Sequence, residues 1–294
     1  MDYQPPGTPG PVGVEQTGDT FCYAHPKTPT KLSCSRCGRP ICGRCAIPAS
    51  VGQHCPECVA EARRSAPRVR RINASGSPAT FATLAILVAV FIVQLIVPKI
   101  GPFDYLSVHF GLLQRAIANK GQIYRLFTPM LLHAGLLHIA FNGYALFLIG
   151  PFVERIFGSR RFVGIFIATG LVGSAVSYMW GPCNELGVGA SGAIFGLLGC
   201  LAVYVYRRRD NPAMNMLWRN IVFIVILNAI IGIAASGQID VRAHAGGFAA
   251  GLIMGGLLDE RGGHPSTGRQ VVAFAVVLGL AALLTAIRTA TFSC

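Results

Sequence analysis

The chain has 294 residues, of which 52% are apolar and only 13% charged, with a mean hydropathy of +0.53. A soluble domain carries about 25% charged residues, so this composition excludes an ordinary soluble protein and points to several membrane spans. The net charge of +13 suits either a nucleic-acid surface or the cytoplasmic loops of a membrane protein, and the placement of the charges decides between them.

Residues 1–20 are polar, with several Gly and Pro and no apolar run, which reads as a disordered tail rather than a cleavable signal peptide. Residues 21–60 read as a metal module. Seven of the ten cysteines lie there, in the series Cys22-x2-His25, Cys34-x2-Cys37, Cys42-x2-Cys45 and Cys55-x2-Cys58. The x2 spacing turns both side chains of a pair toward one metal, and eight ligands suffice for two tetrahedral zinc ions. The expected arrangement is interleaved, the first pair with the third and the second with the fourth. His54, beside Cys55, is an alternative ligand. A disulfide framework competes, but disulfides are rare in the cytoplasm, where the charge pattern below puts the module. With little apolar sequence, the module is expected to need metal to fold. Its chain order resembles a B-box zinc finger, which implies contact with a cytoplasmic protein partner. Lys27, Lys31, Arg36, Arg39 and Arg44 leave anionic lipid open as a ligand, whereas no interleaved aromatics speak for nucleic acid, which is not expected as a partner. Cys183, Cys200 and Cys294 are scattered and suggest no role.

A basic linker, 61–78, leads to apolar stretches near 79–97, 129–150, 161–180, 188–206, 219–235, 240–258 and 271–288. A span needs about 20 residues, so the fifth and seventh are short, and the fifth is a candidate for a tilted or partial span. Arg63, Arg64, Arg68, Arg70 and Arg71 precede the first stretch. Arg155, Arg160 and Arg161 follow the second, Arg207, Arg208, Arg209 and Arg219 the fourth, and Arg261 and Arg269 the sixth. The alternate loops hold fewer: Lys99, Arg115, Lys120, Arg125, Arg242 and Arg288. The positive-inside rule then predicts seven helices with the N-terminus cytoplasmic and the C-terminus outside. A bacterial inner (plasma) membrane is the expected location, with an organelle membrane left open.

In this topology the second, fourth and sixth spans all enter from outside. The second brings His133, His138 and Asn142, the fourth Gly189-Ala190-Ser191-Gly192, and the sixth Ala243-His244-Ala245-Gly246-Gly247. Ser191 and His244 are each expected a few residues inside a helix, at one depth. Polar groups in hydrocarbon are costly and mark function, and a Ser with a His is the minimum of a nucleophile and its base. Gly247, Gly251 and Gly255 share the helix face of His244, and Gly192, Gly196 and Gly199 line the fourth span, spacings that let backbones approach closely. A metal site from His133, His138 and His244 is the rival reading. Asp240, one turn before His244, is expected to cap its helix.

The segments His133-Ala134-Gly135-Leu136-Leu137-His138-Ile139-Ala140-Phe141-Asn142, Gly189-Ala190-Ser191-Gly192 and Ala243-His244-Ala245-Gly246-Gly247 resemble the three signatures of the rhomboid intramembrane serine proteases. Arg125 resembles the Trp-Arg element of that family's first outer loop, with Ile123 and Tyr124 departing from the usual aromatic pair, and Glu154-Arg155 also matches. The resemblance implies an all-α polytopic fold with a six-helix core over 79–258. Residues 259–294 would add a cytoplasmic loop and a seventh helix, and the small zinc-binding domain would lie on the cytoplasmic side. It implies a dyad in which Ser191 is the nucleophile and His244 the base, without a carboxylate. His138 and Asn142 would stabilise the oxyanion, with His133, Gly189, Gly192 and Phe195 in support. Phe195 stands where the family often has a Tyr packed on the catalytic His. The expected function is cleavage of single-span membrane proteins near the outer face of the bilayer, without a catalytic cofactor. A non-catalytic client-binding relative and a metal-handling membrane protein are the alternatives.

Overall fold

The structure, a computed structural model, describes residues 20–65, 76–234, 239–260 and 265–293. Residues 1–19 of the expected tail, Arg68, Arg70 and Arg71 of the linker, and Arg261 lie outside the described residues. Two compact units form, Met1–Arg71 and Ile72–Cys294.

In the first unit two antiparallel hairpins, β1 (Phe21–Cys22) with β2 (His25–Pro29) and β3 (Ile47–Pro48) with β4 (Gln53–His54), precede helix α1 (Pro56–Ser65). Its buried hydrophobic residues are Ile41 and six cysteines, Cys22, Cys34, Cys42, Cys45, Cys55 and Cys58. So small an apolar core supplies little hydrophobic stabilisation, and metal ligation is the usual substitute at this size.

The second unit is helical. In chain order its long elements are α2 (Pro78–Ile96), α5 (Leu136–Phe157), α6 (Ser159–Trp180), α7 (Ser191–Tyr206), α8 (Pro212–Ala234), α9 (Val241–Leu258) and α10 (Thr267–Ala290). All but α7 are long and apolar enough to cross a bilayer, and the protein is an integral membrane protein. Two expectations about length are corrected. The fifth and seventh spans are the longest, at 23 and 24 residues, because α8 begins at Pro212 and α10 at Thr267, in polar sequence ahead of their apolar runs. The short one is α7, with 16 residues. Most of its side chains are buried among other helices, so it is a packed central helix. The second span also shifts, from 129–150 to Leu136–Phe157. Pro129 sits in a 3-10 turn, Thr128–Leu131, and the chain runs non-helical to Gly135, so the apolar run up to that point belongs to the loop.

That loop, between α2 and α5, is folded. It contains the hairpin β5 (Lys99–Ile100) with β6 (Phe103–Asp104), then α3 (Tyr105–Phe110), α4 (Gln114–Lys120) and the 3-10 turns Ile123–Leu126 and Thr128–Leu131. Buried Arg125 holds it closed, donating to the carbonyls of Val108 (3.0 Å) and Gly111 (2.7 Å) and to Gln122 Oε1 (2.6 Å). Gln94, an amide near the end of α2, donates to Asp104 (3.0 Å), Ser107 (3.0 Å) and the His133 carbonyl (3.1 Å), and accepts from His133 N–H (2.9 Å). At the opposite end of α2, Glu154 of α5 accepts from Ala79 N–H (2.9 Å), Thr80 N–H (2.7 Å) and the Thr80 (2.7 Å) and Ser159 (2.6 Å) hydroxyls. A carboxylate at a helix N-terminus satisfies amides that have no intrahelical acceptor. On the same side, buried Asp259 after α9 pairs with Arg207 (3.4 Å) and Arg208 (2.9 Å) after α7.

Candidate active site

Helices α7 and α9 meet backbone to backbone. A Cβ on Gly247 would stand 2.8 Å from the Gly192 carbonyl carbon, and one on Gly251 2.8 Å from that of Gly196. A Cβ on Gly255 would lie 3.0 Å from Cys200 Cα, and one on Gly192 3.3 Å from the Ala243 carbonyl oxygen. Any larger residue along this seam would part the helices, as in close-packed membrane helix pairs generally. Since Gly192 touches Ala243, their neighbours Ser191 and His244 open the two helices side by side.

Ser191 is the first residue of α7 rather than a few residues inside it. The chain reaches it through an extended segment in which Gly187 exchanges backbone hydrogen bonds with Leu112 (2.8 and 2.9 Å) and Gly189 N–H donates to Pro129 O (2.8 Å). Gly189 has φ +135°, and a Cβ there would lie 2.9 Å from His138 Nε2 and 3.7 Å from Ser191 Oγ. Glycine is required on both counts, and the His138 ring and the Ser191 hydroxyl are thereby near neighbours. No side chain caps α7, so its first N–H groups, those of Ser191 and Gly192, have no intrahelical acceptor.

His244 is the fourth residue of α9. Asp240 is the N-cap, as expected, accepting from Arg242 N–H (3.1 Å) and Ala243 N–H (3.2 Å). Its carboxylate also takes the Ser177 hydroxyl and lies 3.3 Å from Arg242 Nε. The His244 ring instead stacks on Phe195, one turn along α7, with centroids 4.3 Å apart and planes 12° from parallel. Among the described residues no hydrogen bond joins His244 to Ser191. Both side chains are partly exposed.

His138 Nδ1 accepts from Ala134 N–H (3.3 Å). In the neutral ring the proton then sits on Nε2, the nitrogen beside Gly189, which makes that edge a donor. Asn142 uses one amide N–H on the His138 carbonyl (2.9 Å) and keeps a second. His133 is buried, edge-on to His138 at 5.2 Å, with neither ring nitrogen hydrogen-bonded among the described residues. The three histidines form no metal cluster among the described residues, where the groups able to hold a metal both lie in the first unit.

Those two groups are Cys22, His25, Cys42 and Cys45, and Cys34, Cys37, Cys55 and Cys58, the interleaved pairing. Cys55, not His54, completes the second. Cys22 and Cys45 sulfurs are 3.8 Å apart, as are those of Cys37 and Cys55, and His25 Nδ1 lies 3.3–3.7 Å from the sulfurs of its group. Four ligands at about 2.3 Å from a tetrahedral centre are roughly 3.8 Å apart, so both sets fit one metal ion each. Arg39 donates to Cys37 Sγ (3.4 Å) and pairs with Glu57 (2.5 Å), offsetting the charge of a four-thiolate set. Burial works against ionising Cys22 and Cys34, yet hydrogen bonds from neighbouring backbone and side chains bring both thiols down to about 6.

A Rhomboid domain is matched over residues 120–261, which takes in Arg125, His138, Ser191 and His244. The chain is 34% identical over 138 residues to a putative rhomboid protease of Bacillus subtilis, YdcA, covering 47% of this chain and 68% of that protein. The chain belongs to the rhomboid family. Rhomboid protease GluP of B. subtilis is 37% identical over 177 residues, 59% of this chain but only 33% of GluP. Rhomboid-like protease 1 of Toxoplasma gondii is 32% identical over 165 residues, 54% of this chain and 55% of that protein. The chain thus spans about a third of the length of one of these rhomboids and about half of another. The metal-binding unit lies outside the Rhomboid match.

Of two polar groups that brace the helices around this site, Glu154 showed in the sequence only through its match to a family element, and Gln94 did not stand out. Gln94 and Glu154 tie α2 to the loop and to α5. An amide late in an apolar helix was a legible signal for Gln94, while its partners were not.

Proposed function

We propose that this chain is an intramembrane serine endopeptidase that cleaves single-span membrane proteins near the outer face of the bilayer. Ser191 Oγ attacks the scissile carbonyl, and His244 takes the hydroxyl proton and then delivers it to the leaving amine. Negative charge on the carbonyl oxygen is met by the free N–H groups that open α7, by His138 Nε2–H and by the second amide proton of Asn142. Phe195 sets the plane of the His244 ring, and Gly189 admits His138 to the pocket. Asp240 has its carboxylate engaged as a helix cap, which leaves a two-residue machine. The absence of a Ser191–His244 hydrogen bond is compatible with this role, since such bonds often tighten only around substrate.

The observation that carries the reading is the glycine seam between α7 and α9, which sets the helix starts bearing Ser191 and His244 against one another beside His138. In proteoliposomes, purified protein is expected to cleave a model single-span substrate, and Ser191→Ala and His244→Ala are each expected to abolish cleavage while leaving the fold intact. Cleavage that survives either substitution sinks the assignment.

For the first unit, the proposal is two structural zinc ions in a B-box-like finger on the cytoplasmic side, a contact surface for a protein partner. Exposed Lys27, Lys31 and Arg44 make that surface basic. The N-terminus inside, the C-terminus outside and a bacterial inner membrane complete the proposed placement, on the strength of the arginine bias.

A further inference from the structure

We propose that Gln94 of α2 is a positioning residue for the oxyanion site, acting through one peptide group to set which nitrogen of His138 carries the proton. The carbonyl of His133 and the N–H of Ala134 belong to a single peptide unit, which is planar, and no peptide bond among the described residues is cis. In a trans peptide these two groups point in opposite directions. On one edge the carbonyl accepts from Gln94 Nε2 (3.1 Å), and on the other the N–H donates to His138 Nδ1 (3.3 Å). His133 N–H in turn donates to Gln94 Oε1 (2.9 Å). One side chain therefore takes both main-chain groups of His133, and neither has a backbone partner among the described residues. Helix α5 begins only at Leu136, without a side-chain cap, so helical hydrogen bonding does not hold this peptide. If the plane turns, the Ala134 N–H leaves Nδ1.

Asp104 orients the Gln94 amide. Both residues are buried, and an ionised carboxylate can only accept. Burial works against ionising Asp104, yet hydrogen bonds from the Ser107 hydroxyl and N–H and from Gln94 hold its carboxyl below the usual range. Gln94 Nε2 accordingly faces Asp104 (3.0 Å) and the His133 carbonyl, which leaves Oε1 for the His133 N–H. A neutral His138 that receives an N–H at Nδ1 carries its own proton on Nε2. That nitrogen would lie 2.9 Å from a Cβ on Gly189, and Ser191 Oγ 3.7 Å from the same point. In the other tautomer Nε2 turns a lone pair toward the developing oxyanion, and the donor is lost. The consequence for catalysis rests on the oxyanion role proposed above for His138, whereas the tautomer does not.

Nitrogen NMR of the full-length protein in bilayers, isotope-labelled in its histidine rings and held at alkaline pH, reads the tautomer directly. In the wild type the His138 ring, identified by the signals missing from His138→Ala, is expected as one species protonated on Nε2. Gln94→Met keeps the length of the side chain without its N–H groups and should give a mixture of tautomers, with Gln94→Leu as the substitute if the Met variant does not fold. Leu87→Ala, at a buried position elsewhere on α2, should lower Tm and leave His138 a single tautomer. On a single-span substrate Gln94→Met should lower kcat on the order of 10²-fold with KM little changed. Added to His138→Ala it should cost less than about twofold more, because the two act through one donor. A folded Gln94 variant in which His138 keeps a single Nε2–H tautomer overturns the inference, as does a loss that multiplies with that of His138→Ala. The tautomer is read even in a protein that cleaves nothing, so failure of the protease assignment shows separately.

Discussion

Replacing Gly247 by alanine puts a methyl group into the tightest point between α7 and α9. That carbon would overlap the Gly192 carbonyl oxygen and stand 2.8 Å from its carbon, where non-bonded carbons settle at about 3.5–4.0 Å. Neither side of the contact is a flexible side chain, so the helices must part by about 1 Å, the difference between those distances. The displacement falls three residues from His244 and on the neighbour of Ser191. A misplacement of about 1 Å between reacting groups costs on the order of 10²-fold in rate, or about 2.7 kcal/mol in the barrier. Gly256, on the same helix, has nothing within 4 Å of where its Cβ would lie, so Gly256→Ala serves as the control for helix propensity. The assay is kcat/KM on a single-span substrate in proteoliposomes, with Tm in detergent to confirm folding. Gly247→Ala is expected to lose about two orders of magnitude and Gly256→Ala to behave as wild type. A folded Gly247→Ala protein that cleaves at the wild-type rate would refute the claim that this seam sets the distance between the two residues.

Other substitutions probe the remaining parts. Phe195→Ala removes a stacked ring worth about 0.5–1.5 kcal/mol, so kcat is expected to fall about two- to tenfold, with Phe195→Tyr near wild type; equal activity in all three proteins would remove Phe195 from the account. His138→Ala deletes one oxyanion donor and should lower kcat by about 10²–10³ with little change in KM; a pure KM effect would show that His138 serves binding instead. Chelation should release about two zinc ions per chain, one from each four-ligand set, and unfold the finger. Cleavage by the membrane unit should continue, and its loss on chelation would mean that metal acts in the site itself.

Much of this was legible because membrane folding forces polar and small residues to declare themselves. Ser191, His244 and His138 stood out as polar groups in apolar sequence, and the Gly247, Gly251, Gly255 spacing predicted the face that the structure buries against α7. The Cys-x2 series likewise predicted the two interleaved metal sets. Helix ends were not legible. Hydropathy cannot tell an apolar loop from an apolar helix, so the residues around Pro129 read as membrane span, although they form a 3-10 turn that accepts the Gly189 N–H. For the same reason α8 and α10 looked short, their first turns being helical but polar. Long-range pairings such as Glu154 with α2 and Asp259 with Arg207 and Arg208 depend on tertiary placement and leave no local pattern.

The central claim is that Ser191 is an activated nucleophile with His244 as its base. Mass spectrometry of the purified protein after reaction with a fluorophosphonate tests it most directly. A single phosphonyl adduct on Ser191, absent in His244→Ala and unaffected by zinc chelation, is the predicted result. Protein that cleaves its substrate yet carries no adduct on Ser191, or carries it undiminished in His244→Ala, would contradict the account.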